Sequence, residues 1–293
     1  MHVFLTGATG WVGAKVAEVL LAAGHQVSGL ARNEEKARAF IAAGGKAVYG
    51  TLDDSQLLFD AAAKADAVIH TAFNHDFSRF AENCAQDERA ITVMGDALRG
   101  SSRPLLVTSG LARLVAGRPA TEEDAPASGP DYLRRSEQAA LALAQQGVNA
   151  ASVRLAPTVH GVGDRGFIPF LIALAKQSGV SAWQEDGSNR WAAVHRNDAA
   201  TVYRLALESG VTQPVYHAVA EEGIAMREIA IAIGKMLGVP AEPREASHFG
   251  WFAGFAGMEM SAASEQTRRT LGWQPAGRDL LTDLHDTDYY VNS

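Results

Sequence analysis

Short apolar runs along the chain alternate with stretches whose apolar residues recur at helical spacing. His2 to Thr6 is one such run, and after the glycines that follow it Val12, Val16, Val19, Leu20 and Ala23 mark one helical face until Gly24 offers a stop. This predicts strand, turn, helix. Gln26 to Ala31 repeats the strand pattern, Asn33 to Ala43 has helical composition, and Lys46 to Tyr49 opens a third apolar stretch. Ala67 to Thr71, Pro104 to Thr108 and Ala150 to Leu155 are further predicted strands, with helix-like segments between them. Alternation of this kind predicts an α/β fold in which helices cover both faces of a doubly wound parallel sheet, with right-handed crossovers.

Beyond Leu155 the rhythm loosens. Gly161, Gly163 and Gly166 mark a loop, Phe167 to Gln177 reads as a helix, and the polar turn Glu185 to Asn189 precedes an extended stretch from Trp191 to His195. Asp198 is expected to cap a helix running to about Ser209, and Val215 to Val219 is another strand. Ile229, Ile233 and Leu237 line a helical face ended by Gly238 and Pro240, and Ser264 is expected to cap a short helix that stops at Gly272. The organisation expected is a dinucleotide-binding domain over 1–160, rejoined by 190–220, and a smaller substrate lobe from 161–189 and 221–293. A ligand crevice belongs at the sheet's carboxyl edge, facing that lobe.

Composition narrows the classes. Of 293 residues 47% are apolar and 20% charged, an ordinary globular balance. Lys and Arg number 26 against 33 Asp and Glu, a net charge of −7, with no basic tract to track a phosphate backbone, so nucleic acid is not the expected partner. Cys84 is the single cysteine, and no Cys or His pair has the spacing of a structural zinc site, so no metal is expected. Nowhere do 18 apolar residues follow one another, and neither a basic leader nor a small-residue cleavage site surrounds the first apolar run. The expectation is a cytoplasmic protein with no membrane partner.

The strongest motif is Thr6-Gly7-Ala8-Thr9-Gly10-Trp11-Val12-Gly13, between the first strand and the first helix. Gly7 permits a tight turn, Gly10 admits a pyrophosphate to the backbone, and Gly13 lets helix and strand pack closely. Amides at the helix start face the anion, so Thr9, Trp11 and Val12 join the expected cofactor contacts. The second strand ends in Gly29-Leu30-Ala31-Arg32-Asn33, without the acidic residue that would bind a ribose 2′-hydroxyl. Arg32, with Lys36 one turn on, instead suits a 2′-phosphate and favours NADP(H) over NAD(H).

These residues, with DAVIHTA at 66–72, LLVTSG at 105–110, VRLAPTVHG at 153–161, WAAVHRNDAA at 191–200 and TLGWQP at 270–275, resemble the extended and atypical branches of the short-chain dehydrogenase/reductase superfamily. The resemblance runs nearly end to end. It implies a Rossmann-type sheet with a C-terminal substrate lobe, and a nicotinamide-dependent oxidoreductase, epimerase or dehydratase. It also implies cofactor contacts from Leu52, Thr71, Ala72, Phe73, Pro157 and His160, and a homodimer through two helices of the first domain. Ser109 takes the family's catalytic serine position. The family's tyrosine, followed four residues on by lysine, is not intact. Aligning Ser136-Glu137 with the usual Ser-Lys pair puts Glu137 at the lysine position and Leu133 at the tyrosine position; alternatively Tyr132 is the tyrosine, shifted by one, with Ser136 four residues on. Arg135, three residues after Tyr132, would supply a cation on the same helical face.

Two functions follow from this reading. The first is an NADP(H)-dependent oxidoreductase of the atypical type, moving a hydride to or from a small carbonyl or alcohol substrate, with Ser109 and Tyr132 as catalytic residues. The alternative is a non-catalytic NADP(H)-binding redox sensor. An epimerase or dehydratase leans on the same missing tyrosine. His75 and Asp76 are further crevice candidates, His195 matches a family landmark or is a hydrogen-bonded structural histidine, and Trp183, Trp191, Phe249, Trp251 and Phe252 are an aromatic set for the second lobe's core, an apolar substrate pocket or a subunit contact. Cys84 reads as a small buried apolar residue.

Overall fold

The computed structural model describes residues 1–129 and 132–290; Asp131, beside Tyr132, lies outside them. In chain order the first domain runs β1 (His2–Thr6), α1 (Trp11–Ala22), β2 (Gln26–Ala31), α2 (Glu34–Ala42), β3 (Lys46–Tyr49), α3 (Ser55–Ala63), β4 (Ala67–His70), α4 (Phe80–Asp96), β5 (Leu105–Gly110), α5 (Ser136–Gln145) and β6 (Ala150–Leu155). There follow β7 (Thr158–His160), α6 (Phe167–Ser178), β8 (Ser181–Trp183), β9 (Arg190–His195), α7 (Arg196–Glu208) and β10 (Val215–Ala218). The chain continues through β11 (Glu221–Ala225), α8 (Met226–Leu237), β12 (Ala241–Pro243), α9 (Ala253–Ala256), α10 (Glu265–Leu271) and α11 (Leu280–Leu284).

Seven parallel strands form one sheet in the order β10-β6-β5-β4-β1-β2-β3. The order reverses between β1 and β4, which pair from Val3 opposite Ala67 to Thr6 opposite His70, so the expected ligand crevice opens at their carboxyl ends. Apolar side chains alternate between the two faces: Val3, Leu5 and Ile69 pack under α1 and α7, whereas Phe4, Val68 and Leu105 pack under α3, α4 and α5. Burial on both sides is why these strands read as continuous apolar runs. The second lobe has its own core, in which Trp183, Trp191, Phe249 and Phe252 are buried, and two small sheets, β11-β9-β7 and β12-β8.

Two caps differ from expectation. The N-cap of α7 is His195, whose Nδ1 accepts from the Asn197 amide at 3.3 Å. Asp198 sits inside the first turn and accepts instead from the Ala276 and Gly277 amides at 3.0 and 2.8 Å, anchoring the C-terminal segment. Ser264 does precede α10, but its hydroxyl donates to the Val219 carbonyl at 2.7 Å and caps no amide of its own helix. In both places a long-range acceptor or donor outcompetes the local one. No helix among the described residues is long and apolar enough to cross a membrane.

Candidate active site

Gly7 has φ +74, and a Cβ there would stand 2.6 Å from Thr71 Oγ1 and 2.8 Å from the Ala72 amide nitrogen. A Cβ on Gly13 would meet the Gly7 carbonyl oxygen at 2.1 Å. These two glycines let β1, β4 and α1 close on one another. Gly10 differs: it is exposed, it has ordinary extended backbone, and an added Cβ would touch only the Gly7 oxygen, at 3.2 Å. It is the N-cap of α1 and no side chain caps that helix, so the first-turn amides of Trp11, Val12 and Gly13 carry no cap among the described residues, with the positive end of the dipole behind them.

The neighbours are tied down. Thr71 Oγ1 donates to the Thr6 carbonyl at 2.8 Å, and Ala72 N donates to Thr6 Oγ1 at 3.4 Å. The Trp11 indole donates to the Val159 carbonyl at 2.7 Å and lies under the Arg196 guanidinium at 4.1 Å, so its ring clamps the β7 segment. Thr9 is half-buried in the turn, and Val12 and Leu52 pack against the two faces of the sheet core. Pro157 is half-buried between β6 and β7. At the end of β2, Arg32 and Lys36 are exposed, and neither side chain bonds to another described residue; the Lys36 amide donates to the capping Asn33 at 3.0 Å. An uncapped helix start beside an exposed glycine fits the diphosphate of a dinucleotide.

Ser109 and Glu137 meet in the interior. The Ser109 hydroxyl donates to Glu137 Oε2 at 3.0 Å. Arg154, which has no exposed surface, grips the same carboxylate through Nε at 2.9 and 3.1 Å and Nη2 at 2.5 Å. Its remaining hydrogens reach the Thr121 and Asp124 carbonyls, and Nη1 lies 3.2 Å from His217 Nε2. His217 Nδ1 is 2.7 Å from the Ala263 carbonyl, and burial holds the ring's pKa below the usual value, so a neutral imidazole faces the guanidinium. Glu137 is therefore the buried counter-ion of Arg154.

A second buried chain runs beside it. Thr6 Oγ1 pairs with His70 Nδ1 at 2.7 Å, His70 Nε2 with Asp87 at 3.0 Å, and Ser136 donates to the other Asp87 oxygen at 2.6 Å. Burial works to raise the Asp87 pKa, but its bonds to His70 and Ser136 and the Arg134 charge hold it below the usual carboxylate range. Arg134 continues the chain: Nε donates to Ser136 at 3.1 Å, Nη2 to the Thr108 carbonyl at 3.2 Å, and Cζ lies 4.4 Å from the centre of the Phe73 ring. The inward cation before α5 is Arg134. Arg135, the one expected from sequence, is exposed and with Tyr132 lines an open cleft of about 590 Å³ between α4 and α5. Burial raises the Tyr132 pKa, with Arg134 opposing it.

Comparison with known proteins sets this geometry in context. The sequence pattern described as the NAD dependent epimerase/dehydratase family matches residues 3–219, well over half of the chain. The chain belongs to that family. An uncharacterized protein of Schizosaccharomyces pombe is 45% identical over 99% of this chain and 100% of its own length. The 4-hydroxy-2-methyl-3-oxo-4-farnesyl-3,4-dihydroquinoline-1-oxide ketoreductase of Stigmatella aurantiaca is 26% identical over 95% of this chain and 92% of its own. Among solved structures, the dTDP-glucose 4,6-dehydratase of Streptomyces venezuelae, with NAD and TYD bound, superposes with a TM-score of 0.77 at 20% identity, covering 99% of this chain and 96% of that one.

As an epimerase/dehydratase family member the protein shares the short-chain dehydrogenase/reductase fold with these neighbours. His160 has no exposed surface; its Nδ1 bonds Asp283 on α11 at 2.7 Å, turning it toward the second lobe, with the His195 ring 5.6 Å away. Cys84 is buried, and loss of solvent pushes its thiol up to about 11. No cluster of three metal-ligating side chains occurs among the described residues. Arg134, His70, Asp87 and Arg154 were not among the expected site residues; the signal available was a His and an Arg on the otherwise apolar strands β4 and β6, whereas Asp87 lies among the polar residues of α4.

Proposed function

We propose that this protein is an NADP(H)-dependent oxidoreductase acting on a small carbonyl or alcohol. The observation that carries the cofactor preference is the pair Arg32, exposed just after β2, and Lys36, exposed in the first turn of α2, with no acidic residue at the strand end and no partner for either side chain among the described residues. The helix start of α1 holds the diphosphate, Arg32 the 2′-phosphate, and Phe73 and Pro157 flank the far end of the dinucleotide. When bound, the dinucleotide supplies or accepts the hydride. Ser109 commits its one hydroxyl hydrogen to Glu137 and acts through position, and Tyr132, which lines the cleft between α4 and α5, is the second expected catalytic residue. The naming of the Stigmatella relative as a ketoreductase supports the reaction class.

Arg32→Glu tests the preference. A charge-assisted hydrogen bond is worth about 1.5–3 kcal/mol, so the variant is expected to bind NADPH roughly 10- to 100-fold more weakly while NADH affinity changes little. Equal losses for both dinucleotides in a fluorescence titration remove the basis for NADP(H).

A further inference from the structure

Among the described residues Arg134 is a cation held in place at the carboxyl edge between β4 and β5 without a carboxylate partner. Three contacts fix it: the Ser136 hydroxyl at 3.1 Å, the Thr108 carbonyl at 3.2 Å and the Phe73 ring at 4.4 Å. Among the described residues Nη1 has no acceptor and no carboxylate lies within ion-pair distance, and Asp87, the nearest acid in this chain of bonds, is committed to His70 and Ser136. A guanidinium keeps its charge at any ordinary pH, and its planar fork suits two oxygens of one carboxylate.

What surrounds that fork is aromatic. Phe73 contacts His75 at 5.4 Å and Phe80 at 6.1 Å, and Phe77 stacks at 4.9 Å on Trp251, which belongs to the second lobe. Trp251 is 55% exposed while Phe249 and Phe252 on either side are buried, so its indole is presented rather than packed away. Loss of solvent around the His75 ring, followed by the Arg134 charge, holds its pKa below the usual value and leaves it neutral in this wall. In residues 73–80 and 246–256 the only lysine or arginine is Arg79, which is paired with Glu82. A diphosphate finds no clamp there.

We propose that this edge and the facing part of the second lobe bind an apolar, ring-bearing carboxylate, with Arg134 receiving the carboxylate and the strip from Phe73 to Trp251 packing the ring. The proposal deepens the oxidoreductase reading, since such a compound would present its carbonyl at the same edge, but its binding is measurable without turnover.

Calorimetric titration of the full-length protein with phenylacetate, its neutral isostere phenylacetamide, and UDP-glucose tests it, each with and without NADPH. Phenylacetate is expected to bind at least tenfold more tightly than phenylacetamide. Arg134→Gln should erase that difference by weakening phenylacetate tenfold or more while moving phenylacetamide less than twofold; Trp251→Ala should weaken both. Absence of phenylacetate binding, equal affinity for the two probes, or tighter binding of UDP-glucose overturns the proposal, and the wild-type ratio decides it even if Arg134→Gln does not fold. Failure of NADPH alone to bind strikes the oxidoreductase reading and leaves the carboxylate result standing on its own.

Discussion

Glu137→Lys is expected to destabilise the protein strongly rather than restore a family-like active site. In one of the two alignments read from the sequence Glu137 takes the family's lysine position, yet its carboxylate takes three short contacts from the fully buried Arg154. A lysine would set two cations together in the interior beside a neutral His217. Breaking a buried pair from one side costs about 3–5 kcal/mol. At 2–4 °C per kcal/mol for a domain of this general size, the melting temperature should fall by roughly 6–20 °C. Arg154→Met, which strands Glu137, should lose a similar amount. A thermal melt of Glu137→Lys within 2 or 3 °C of wild type would show that the pair does not hold the fold.

The second large effect is on ligand binding alone. Gly10→Val places a branched side chain over the open start of α1, where the exposed glycine now leaves room. Its backbone, with φ −85 and ψ 176, suits any residue, so the fold should persist. NADPH affinity is expected to fall at least 100-fold with the melting temperature little changed. The same substitution at Gly13, where a Cβ would strike the Gly7 oxygen at 2.1 Å, is no substitute, since it disturbs the packing of helix on strand. Unaltered NADPH binding by a folded Gly10→Val protein would remove the glycine turn from the site.

The strands of the large sheet were legible because both of their faces are buried, which writes an apolar run into the sequence; the glycine turn was legible because its spacing and its place before a helix are both local. Pairings across the fold were not. Glu137 and Arg154 are 17 residues apart on a helix and a strand, and nothing in either segment names the other. Arg134 and Arg135 are adjacent, and which turns inward depends on α5 starting at Ser136, whose hydroxyl is bound to Asp87. Periodicity missed β11 and β12, since Glu221-Glu222-Gly223 and Ala241-Glu242-Pro243 carry no strand pattern and are ordered by their partners β9 and β8. In the aromatic set, burial separates Trp251 from the other four, and no local feature of the sequence distinguishes it.

The central claim is that the start of α1 and the end of β2 together receive a phosphorylated dinucleotide. Calorimetric titration of the wild-type protein with NADPH, NADP+, NADH and NAD+ in one buffer tests it most directly. Both phosphorylated forms are expected to bind with one-to-one stoichiometry and at least tenfold more tightly than their unphosphorylated counterparts. Binding of NADH and NAD+ as tight as that of NADPH and NADP+, or no heat from any of the four, would contradict it.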